Sequence, residues 1–385
     1  MCTTLFKEVI TYYNNSNSDV YCCMIDASKA FDRIRFDKIF VTLKERGLPP
    51  YILNILIDMY TRQRMRASWE NEHSEYFTLC NGVKQGGVLS PVLFTIYMDV
   101  LLTKLKEKGI GCMIGNIFYG AMSYADDLAL ICPSITGLQS MISICEEFGK
   151  DFDMNFNPKK TVSICFSKSQ QPLLFDVKLS DSAIKCCDTV KYLGCYLKHN
   201  LKETQEIQIK KNEFIGKVNS LIYKFGFVKK RTLYRLFQTF CCSFYGSQTW
   251  NLNDKSIEKI HTSWNISVRK IFDLPYNTHT RLLSQITMMP YISNQIASKT
   301  LKLIYNMHDS KNEQVRLVAI QAFHDNQSFI RRNINHICHT FDLDVNAAIT
   351  SKQIIPFKVE SDWKSKISIE IIDIQDEELD IQFEF

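Results

Sequence analysis

Two adjacent carboxylates, Asp126 and Asp127, interrupt the apolar run Ser123-Tyr-Ala-Asp-Asp-Leu-Ala-Leu-Ile-Cys132. Like charges on neighbouring side chains repel unless solvent or a cation intervenes. A turn that presents both to a divalent ion removes the repulsion. A third carboxylate at the same point would complete a metal-dependent phosphoryl-transfer site. Asp26 is the candidate, at the end of the strand-like run Val20–Ile25 and at the head of Asp26-Ala-Ser-Lys-Ala-Phe31-Asp32. If that strand lies beside a hairpin carrying the pair, Asp26 and Asp126 meet at adjacent strand ends. They could then bridge two divalent ions about 4 Å apart. Hard carboxylate oxygens suit Mg2+, whose octahedron is completed by substrate phosphates. The competing reading makes Asp26 a cap on the helix that follows, which is the preferred reading for Asp32 and Asp37.

The elements that must position these residues follow from hydrophobic spacing. After the strand at 20–25, Phe36, Ile39, Phe40 and Leu43 share one helical face, and Gly47 stops that helix. Pro49 and Pro50 open another, with Ile52, Ile55, Leu56 and Met59 on one face. Residues 64–70 and 74–80 read as paired strands. The loop Asn81-Gly-Val-Lys-Gln85-Gly86-Gly87-Val-Leu precedes Ser90, a natural N-cap, and Pro91, a natural first helical residue. The helix they open, to about Lys106, is apolar nearly all round and is expected to be buried. Residues 117–132 read as a hairpin with the Asp pair at its tip. A helix is expected over 136–153, with Leu138, Met141, Ile142 and Cys145 inward, and strands near 162–166 and 190–197. Beyond His199 the pattern turns to long helices, roughly 201–225, 229–246 and 254–272, with more helix to about 345.

Charge is uneven along the 385 residues. The net charge is +5, yet the segment from Glu360 holds nine acids against Lys364 and Lys366, so residues 1–359 carry a net +12. A basic body fits a polyanionic partner, and equally an ordinary basic surface. The acidic end reads as an edge strand or a disordered tail. Fourteen cysteines include the neighbours Cys22–Cys23, Cys186–Cys187 and Cys241–Cys242, and no secretory signal precedes them. They read as reduced, mostly buried thiols of an intracellular protein, nuclear or cytoplasmic and not secreted. His336, Cys338 and His339 lack a partner pair at zinc spacing and read as structural. No apolar run reaches membrane-spanning length.

Three further segments could serve nucleotide transfer. Phe31 could pack under a sugar and exclude a 2′-hydroxyl, or simply belong to the core. Gln85-Gly86-Gly87 offers an amide and close backbone approach, or an ordinary glycine loop. The helices at 201–246 carry Lys202, Lys210, Lys211, Lys217, Lys224, Lys229, Lys230, Arg231 and Arg235, a phosphate-tracking surface or a solvated face.

Taken in order, Asp26-Ala-Ser-Lys-Ala-Phe-Asp, Gly-Val-Lys-Gln-Gly-Gly-Val-Leu-Ser-Pro-Val-Leu-Phe and Tyr-Ala-Asp-Asp resemble the reverse transcriptases of non-LTR (LINE-type) retrotransposons. Asn157-Pro-Lys-Lys160-Thr161 is similar to their next motif and Tyr192-Leu193-Gly194 to the primer grip. Trp264 to Arg281 is similar to the helical region after their thumb, so the resemblance runs to about residue 290. A palm-fold polymerase of a group II intron is a more distant resemblance.

The resemblance implies an RNA-directed DNA polymerase that transfers a nucleotide from a dNTP to a primer 3′-hydroxyl with two Mg2+ ions, Mn2+ being a substitute. Asp26 and Asp126 would be the main metal ligands, Asp127 a supporting carboxylate, and the carbonyl of Ala27 a further ligand. Phe31 would select deoxynucleotides, Gln85 and Gly86 would lie against template and incoming base, and Tyr124 would sit near the primer end. Lys160 would be the general acid for pyrophosphate, while Tyr192, Leu193 and Gly194 would steady the primer. Partners would be an RNA template, a DNA primer or RNA–DNA hybrid, and dNTPs, with no membrane; the sequence leaves the oligomeric state open.

The implied fold is α+β: an antiparallel right-hand polymerase palm backed by helices, then an all-helical thumb and a C-terminal extension. The expected division is palm 1–200 with the fingers largely missing, thumb 201–275, helical C-terminal region 276–358 and acidic tail 359–385. Only Lys7 is basic before Tyr21, so the chain reads as truncated at its amino end, without the side chains that clamp a triphosphate. The alternative function is a catalytically inactive remnant that binds nucleic acid.

Overall fold

The computed structural model describes residues 1–287 and 291–345. The acidic tail and residues 346–358 of the expected C-terminal region lie outside the described residues. In chain order come α1 (Cys2–Asn15), β1 (Val20–Ser28), α2 (Phe36–Glu45), α3 (Pro50–Thr61), β2 (Arg64–Met65), β3 (Ser68–Trp69), β4 (Glu72–His73), β5 (Phe77–Thr78) and α4 (Ser90–Lys108). Next are β6 (Met113–Ile114), β7 (Ile117–Phe118), β8 (Ala121–Tyr124), β9 (Asp127–Cys132), α5 (Ile135–Phe152), β10 (Asn155–Phe156) and β11 (Val162–Phe166). Then follow β12 (Lys178–Leu179), β13 (Ser182–Ala183), β14 (Lys185–Cys186), β15 (Thr189–Tyr192) and β16 (Cys195–Lys198). The remainder is helical: α6 (Thr204–Phe225), α7 (Lys230–Phe240), α8 (Ser256–Phe272), α9 (Thr280–Thr287), α10 (Ile292–His308), α11 (Glu313–His324) and α12 (Phe329–Thr340).

The strand β1 is the spine. Its sheet runs in the order β14-β11-β1-β9-β8, with β10 also pairing β1. Both long neighbours are antiparallel to it, and the register sets Asp26 opposite Asp127. Alternation on β1 and β9 serves two cores. Cys23, Ile25, Leu128 and Leu130 face α4 and α5, whereas Cys22, Ala129 and Ile131 join α1 and the C-terminal helices. A strand buried on both faces must be apolar at every position, as Val20–Ile25 nearly is.

The C-terminal helices α10–α12 therefore close the open face of the palm sheet, contributing Leu301, Ile304, Ala319, Ile334 and Ile337 to its core. The thumb helices form a third core around Phe214, Phe237, Trp250 and Trp264. Two buried polar side chains of α1 fasten these parts together. Lys7 pairs with Glu203 at 2.9 Å and donates to the Thr249 carbonyl at 2.8 Å. Glu8 Oε1 accepts from the Ile330 backbone N–H at 2.5 Å and from Ser328 Oγ at 3.1 Å, at the start of α12. No helix among the described residues is long and apolar enough to cross a membrane.

Several local expectations are corrected. Apolar residues lie on two stripes of α3, and packing selects Leu53 and Tyr60, leaving Ile55 and Met59 exposed. Similarly, α4 buries one face, through Leu93, Phe94, Tyr97, Met98, Leu101 and Leu105, and leaves Val92 exposed. Its Ser90 makes no cap, because the hydroxyl donates instead to the Lys84 carbonyl at 2.6 Å. The hairpin bearing the Asp pair starts at Ala121, since Ile117–Phe118 folds back on Met113–Ile114. The expected strand 190–197 is two strands, turned at Leu193 (φ 47°) and Gly194 (φ 79°), the two positive φ values a tight antiparallel hairpin needs. The helix expected to 246 stops at Phe240. Gly246 then tucks against Cys195, where a Cβ would stand 2.9 Å from the sulfur.

Burial lifts the Glu8 carboxyl to about 7, against the lowering effect of its hydrogen bonds. Its folded state holds a proton that the unfolded chain releases, so its contribution is complete below about pH 4.5 and is lost as pH rises through about 7. The slope reaches at most about 1.4 kcal/mol per pH unit. Melting curves of Glu8→Gln should match the parent near pH 5 and exceed it at pH 8. Equal differences at both pH values would contradict this role.

Candidate functional site

The tip of the β8–β9 hairpin is a two-residue turn. Tyr124 stands opposite Asp127, leaving Ala125 (φ 52°) and Asp126 between them. Ser123 Oγ donates to the Ala125 carbonyl at 3.1 Å and helps hold this left-handed residue. Asp127 is thus the first residue of β9 and Asp126 projects one position beyond. Across the ladder lies Asp26, the last β1 residue that pairs with β9. The register therefore gathers the three carboxylates proposed from sequence at one end of the sheet.

Their electrostatics report the crowding. The Asp127 carboxyl is raised from its ordinary value, first by burial and then by the charges of Asp126 and Asp26. Asp26 Oδ2 is buried and accepts no hydrogen bond. The Lys160 ammonium lies 3.8 Å from that oxygen, too far for a hydrogen bond, and is itself well exposed. A buried carboxylate oxygen without a donor is a costly arrangement unless a cation completes it. Among the described residues no three His, Cys, Asp or Glu side chains form a ready metal cage. His336 Nδ1 lies 2.8 Å from Asn253 Oδ1, and Cys338 is buried.

Lys160 is placed by the backbone of Asp26. The Asn157 N–H donates to the Asp26 carbonyl at 2.9 Å, and the Asp26 N–H donates to Thr161 Oγ1 at 3.3 Å. Between these two clamps the N–H groups of Lys160 and Thr161 turn back to the Asn157 carbonyl, at 3.2 and 2.9 Å. Sequence reading quoted this motif but gave Asn157 and Thr161 no task. A hydroxyl residue directly ahead of the strand-like run Val162–Phe166 was the available signal.

Phe31 is half-buried and stacks on Phe94 of α4, centroids 4.6 Å apart and planes at 15°. Its carbonyl accepts from the Val83 N–H at 2.9 Å, and the Ile34 carbonyl accepts from Gly82 at 2.8 Å. Gly82 has φ 88°, and a Cβ there would stand 2.7 Å from the Asp32 carbonyl oxygen. This close approach brings the loop of Gln85 and Gly86, both exposed, next to the segment carrying Phe31. Asp32 is exposed in the short 3-10 turn Ala30–Arg33, and Asp37 pairs with Arg35 at 2.6 Å. Ala27 is buried, just past the end of the β1–β9 ladder. Tyr124 is largely exposed.

The Tyr192-Leu193-Gly194 segment divides in two. Tyr192 is buried against Phe6, centroids 5.3 Å apart, and burial followed by nearby Cys2 and Asp127 raises its phenol. Leu193 and Gly194 form the turn. Tyr245, which sequence reading missed, covers that turn: its hydroxyl donates to the Leu193 carbonyl at 3.2 Å, and its ring lies 3.0 Å from where a Gly194 Cβ would be. Of the basic residues named on the thumb, Lys202, Lys217, Lys224, Lys229, Arg231 and Arg235 are exposed, while Lys210 and Lys230 pair with Glu213 and Asp273.

The sheet is antiparallel except for the parallel β11–β14 pair, carries helices on its faces, presents the carboxylates at one end and is followed by a helical bundle. Residues 2–197 match the family described as reverse transcriptase (RNA-dependent DNA polymerase), and the chain belongs to it. It is 30% identical over 221 residues to the Pol polyprotein of the type-2 retrotransposable element R2DM of Drosophila melanogaster, covering 55% of this chain and 20% of that one. It is 25% identical over 318 residues to the probable RNA-directed DNA polymerase from transposon BS of the same organism, covering 77% and 33%. The chain thus spans a third or less of these relatives. Among solved structures, apo telomerase from Candida tropicalis aligns with a TM-score of 0.42 at 13% identity, over 92% of this chain and 55% of that one.

Without metal, ionised Asp127 opposes folding, and this penalty grows as pH rises past the ordinary carboxylate range. Asp127→Asn should therefore melt above the parent in metal-free buffer at pH 8. Mg2+ at a hundred times its dissociation constant should stabilise the parent by about 2.7 kcal/mol and the variant less. Identical Mg2+ responses in thermal melts would remove Asp127 from the metal site.

Proposed function

We propose that the chain is the palm and thumb of an RNA-directed DNA polymerase of a non-LTR retrotransposon. Its reaction is transfer of a deoxynucleotide from a dNTP to a primer 3′-hydroxyl on an RNA template. The observation that carries the reading is the register Asp26 opposite Asp127, with Asp126 in the turn beyond and Asp26 Oδ2 lacking a donor. Reverse transcriptases use divalent metal ions. Two Mg2+ ions, or Mn2+, held by Asp26 and Asp126 would lower the pKa of the attacking hydroxyl and offset the charge on the leaving pyrophosphate.

The chain's own residues do the positioning, which supplies most of the catalysis in phosphoryl transfer. Asp127 supports the pair, and the Ala27 carbonyl is a further oxygen beside it. Lys160, clamped to the Asp26 backbone, is the proton donor to pyrophosphate. Phe31, fixed by its stack on Phe94, lies under the incoming sugar and rejects a 2′-hydroxyl. Gln85 and Gly86 contact the template base and its partner, and Tyr124 the primer end. The Leu193–Gly194 turn steadies the primer, with Tyr192 as its buried anchor. The exposed cations of α6 and α7 follow the backbone of the hybrid, whose A-form shape offers phosphates and 2′-hydroxyls rather than a readable major groove. The division proposed is palm 1–200, thumb 201–275 and a C-terminal region from 276 whose helices brace the palm. All fourteen cysteines are unpaired, which supports a nuclear or cytoplasmic place of action.

Template-primed incorporation of deoxynucleotides with Mg2+ tests this. Asp126→Asn should lower the rate by about 10²–10³-fold or more. Equal rates in parent and variant would refute the assignment. No incorporation by the parent, with salt-sensitive binding of hybrid retained, would leave a binding protein rather than a polymerase.

A further inference from the structure

The strands β2 to β5 form a ribbon that stands off the body, every residue from Arg64 to Thr78 being exposed. Ser68 pairs with His73 and Trp69 with Glu72 near the tip, while Arg64 pairs with Thr78 and Met65 with Phe77 at the root. The two registers differ by one residue, so Glu75 and Tyr76 together oppose Arg66 in a bulge. A small exposed ribbon gains little from burying apolar area, yet this one displays Trp69 at 81%, Tyr76 at 63% and Phe77 at 51% exposure. Arg64 and Arg66 alternate onto one face, and neither has an ion-pair partner among the described residues. The Arg66 guanidinium instead sits over the Tyr76 ring, 5.4 Å from its centroid. The acids Glu70, Glu72 and Glu75 lie at the tip and bulge, leaving the root basic.

The root leads directly into the proposed catalytic region. Leu79 N–H bonds the Gln63 carbonyl, Asn81 bridges Arg35, and Gly82 and Val83 hydrogen-bond beside Phe31–Ile34 before the chain reaches Gln85. Exposed arginines beside the exposed Tyr76 ring suit a strand whose phosphates and unstacked bases are both accessible. Duplex bases are stacked on each other and offer the rings nothing. We propose that this ribbon binds single-stranded RNA, the unpaired stretch of template next to the Gln85 loop. The proposal deepens the polymerase reading in naming the strand as template, but RNA binding by the ribbon does not require catalysis.

Fluorescence anisotropy with a labelled, unstructured RNA of about twelve nucleotides reads this on the full chain. The double variant Arg64→Ala/Arg66→Ala should weaken binding about tenfold or more and reduce the log–log salt slope by about 1.4. Tyr76→Ala should weaken it several-fold with the salt slope unchanged. Binding of a blunt RNA–DNA hybrid should hardly change in either variant. Because all three side chains are exposed, unchanged melting curves check the fold. Asp126→Asn should retain RNA binding while losing incorporation, which separates the two proposals. Unchanged RNA affinity, equal losses for hybrid and single strand, or a ribbon-dependent dimer in sedimentation without loss of RNA binding would each overturn the proposal.

Discussion

Repulsion among three carboxylates at one end of a sheet is the constraint around which the palm is organised. Asp26 and Asp127 are ladder partners and Asp126 is one residue beyond, so no side-chain rotation can move them far apart. Solvent reaches Asp126 and Asp127, but Asp26 Oδ2 is buried without a donor and Asp127 is still held above its ordinary pKa. Such an arrangement persists only if the surrounding structure over-determines it. Here that structure is the nine-residue strand β1, paired on both edges and buried on both faces.

The same strand explains why thumb and C-terminal helices belong to the palm's stability. Its second face is covered by α1 with α10–α12 rather than by solvent. The buried Lys7–Glu203 pair ties α1 to the start of the thumb. Breaking such a pair by removing one partner strands a charge in the interior, a loss of about 3–5 kcal/mol. Tyr245 extends the linkage to the Leu193–Gly194 turn, so thumb and primer-grip turn are positioned by common contacts.

Much of this was legible in the sequence because its chemistry is local. Asp126-Asp127 in an apolar run, Asp26 at a strand end and the Gly-rich loop before a helix each declare a turn or an edge. Their order carried the resemblance that implied a palm before any contact was known. What stayed hidden depends on distant partners. Apolar residues on both stripes of α3 cannot reveal which stripe α2 will cover, and the covered one left out Ile55 and Met59. A largely apolar run at 190–197, read as one strand, concealed a hairpin although Gly194 marked its turn. Helices near 292–340 were expected, but their seat on the palm sheet rests on contacts about 300 residues apart in sequence, such as Glu8 with Ile330. Thr161, read only as the end of the Asn157–Thr161 motif, is a clamp on Asp26.

The central claim is that the three carboxylates form a nucleotidyl-transfer metal centre. Anomalous diffraction from crystals soaked in Mn2+ and a non-hydrolysable dNTP, with hybrid bound, tests it most directly. Two peaks about 4 Å apart between Asp26 and Asp126, with the Lys160 ammonium moved from Asp26 towards the phosphates, are the result this account predicts. Absence of anomalous density there, with nucleotide bound and Lys160 still beside Asp26 Oδ2, would contradict it.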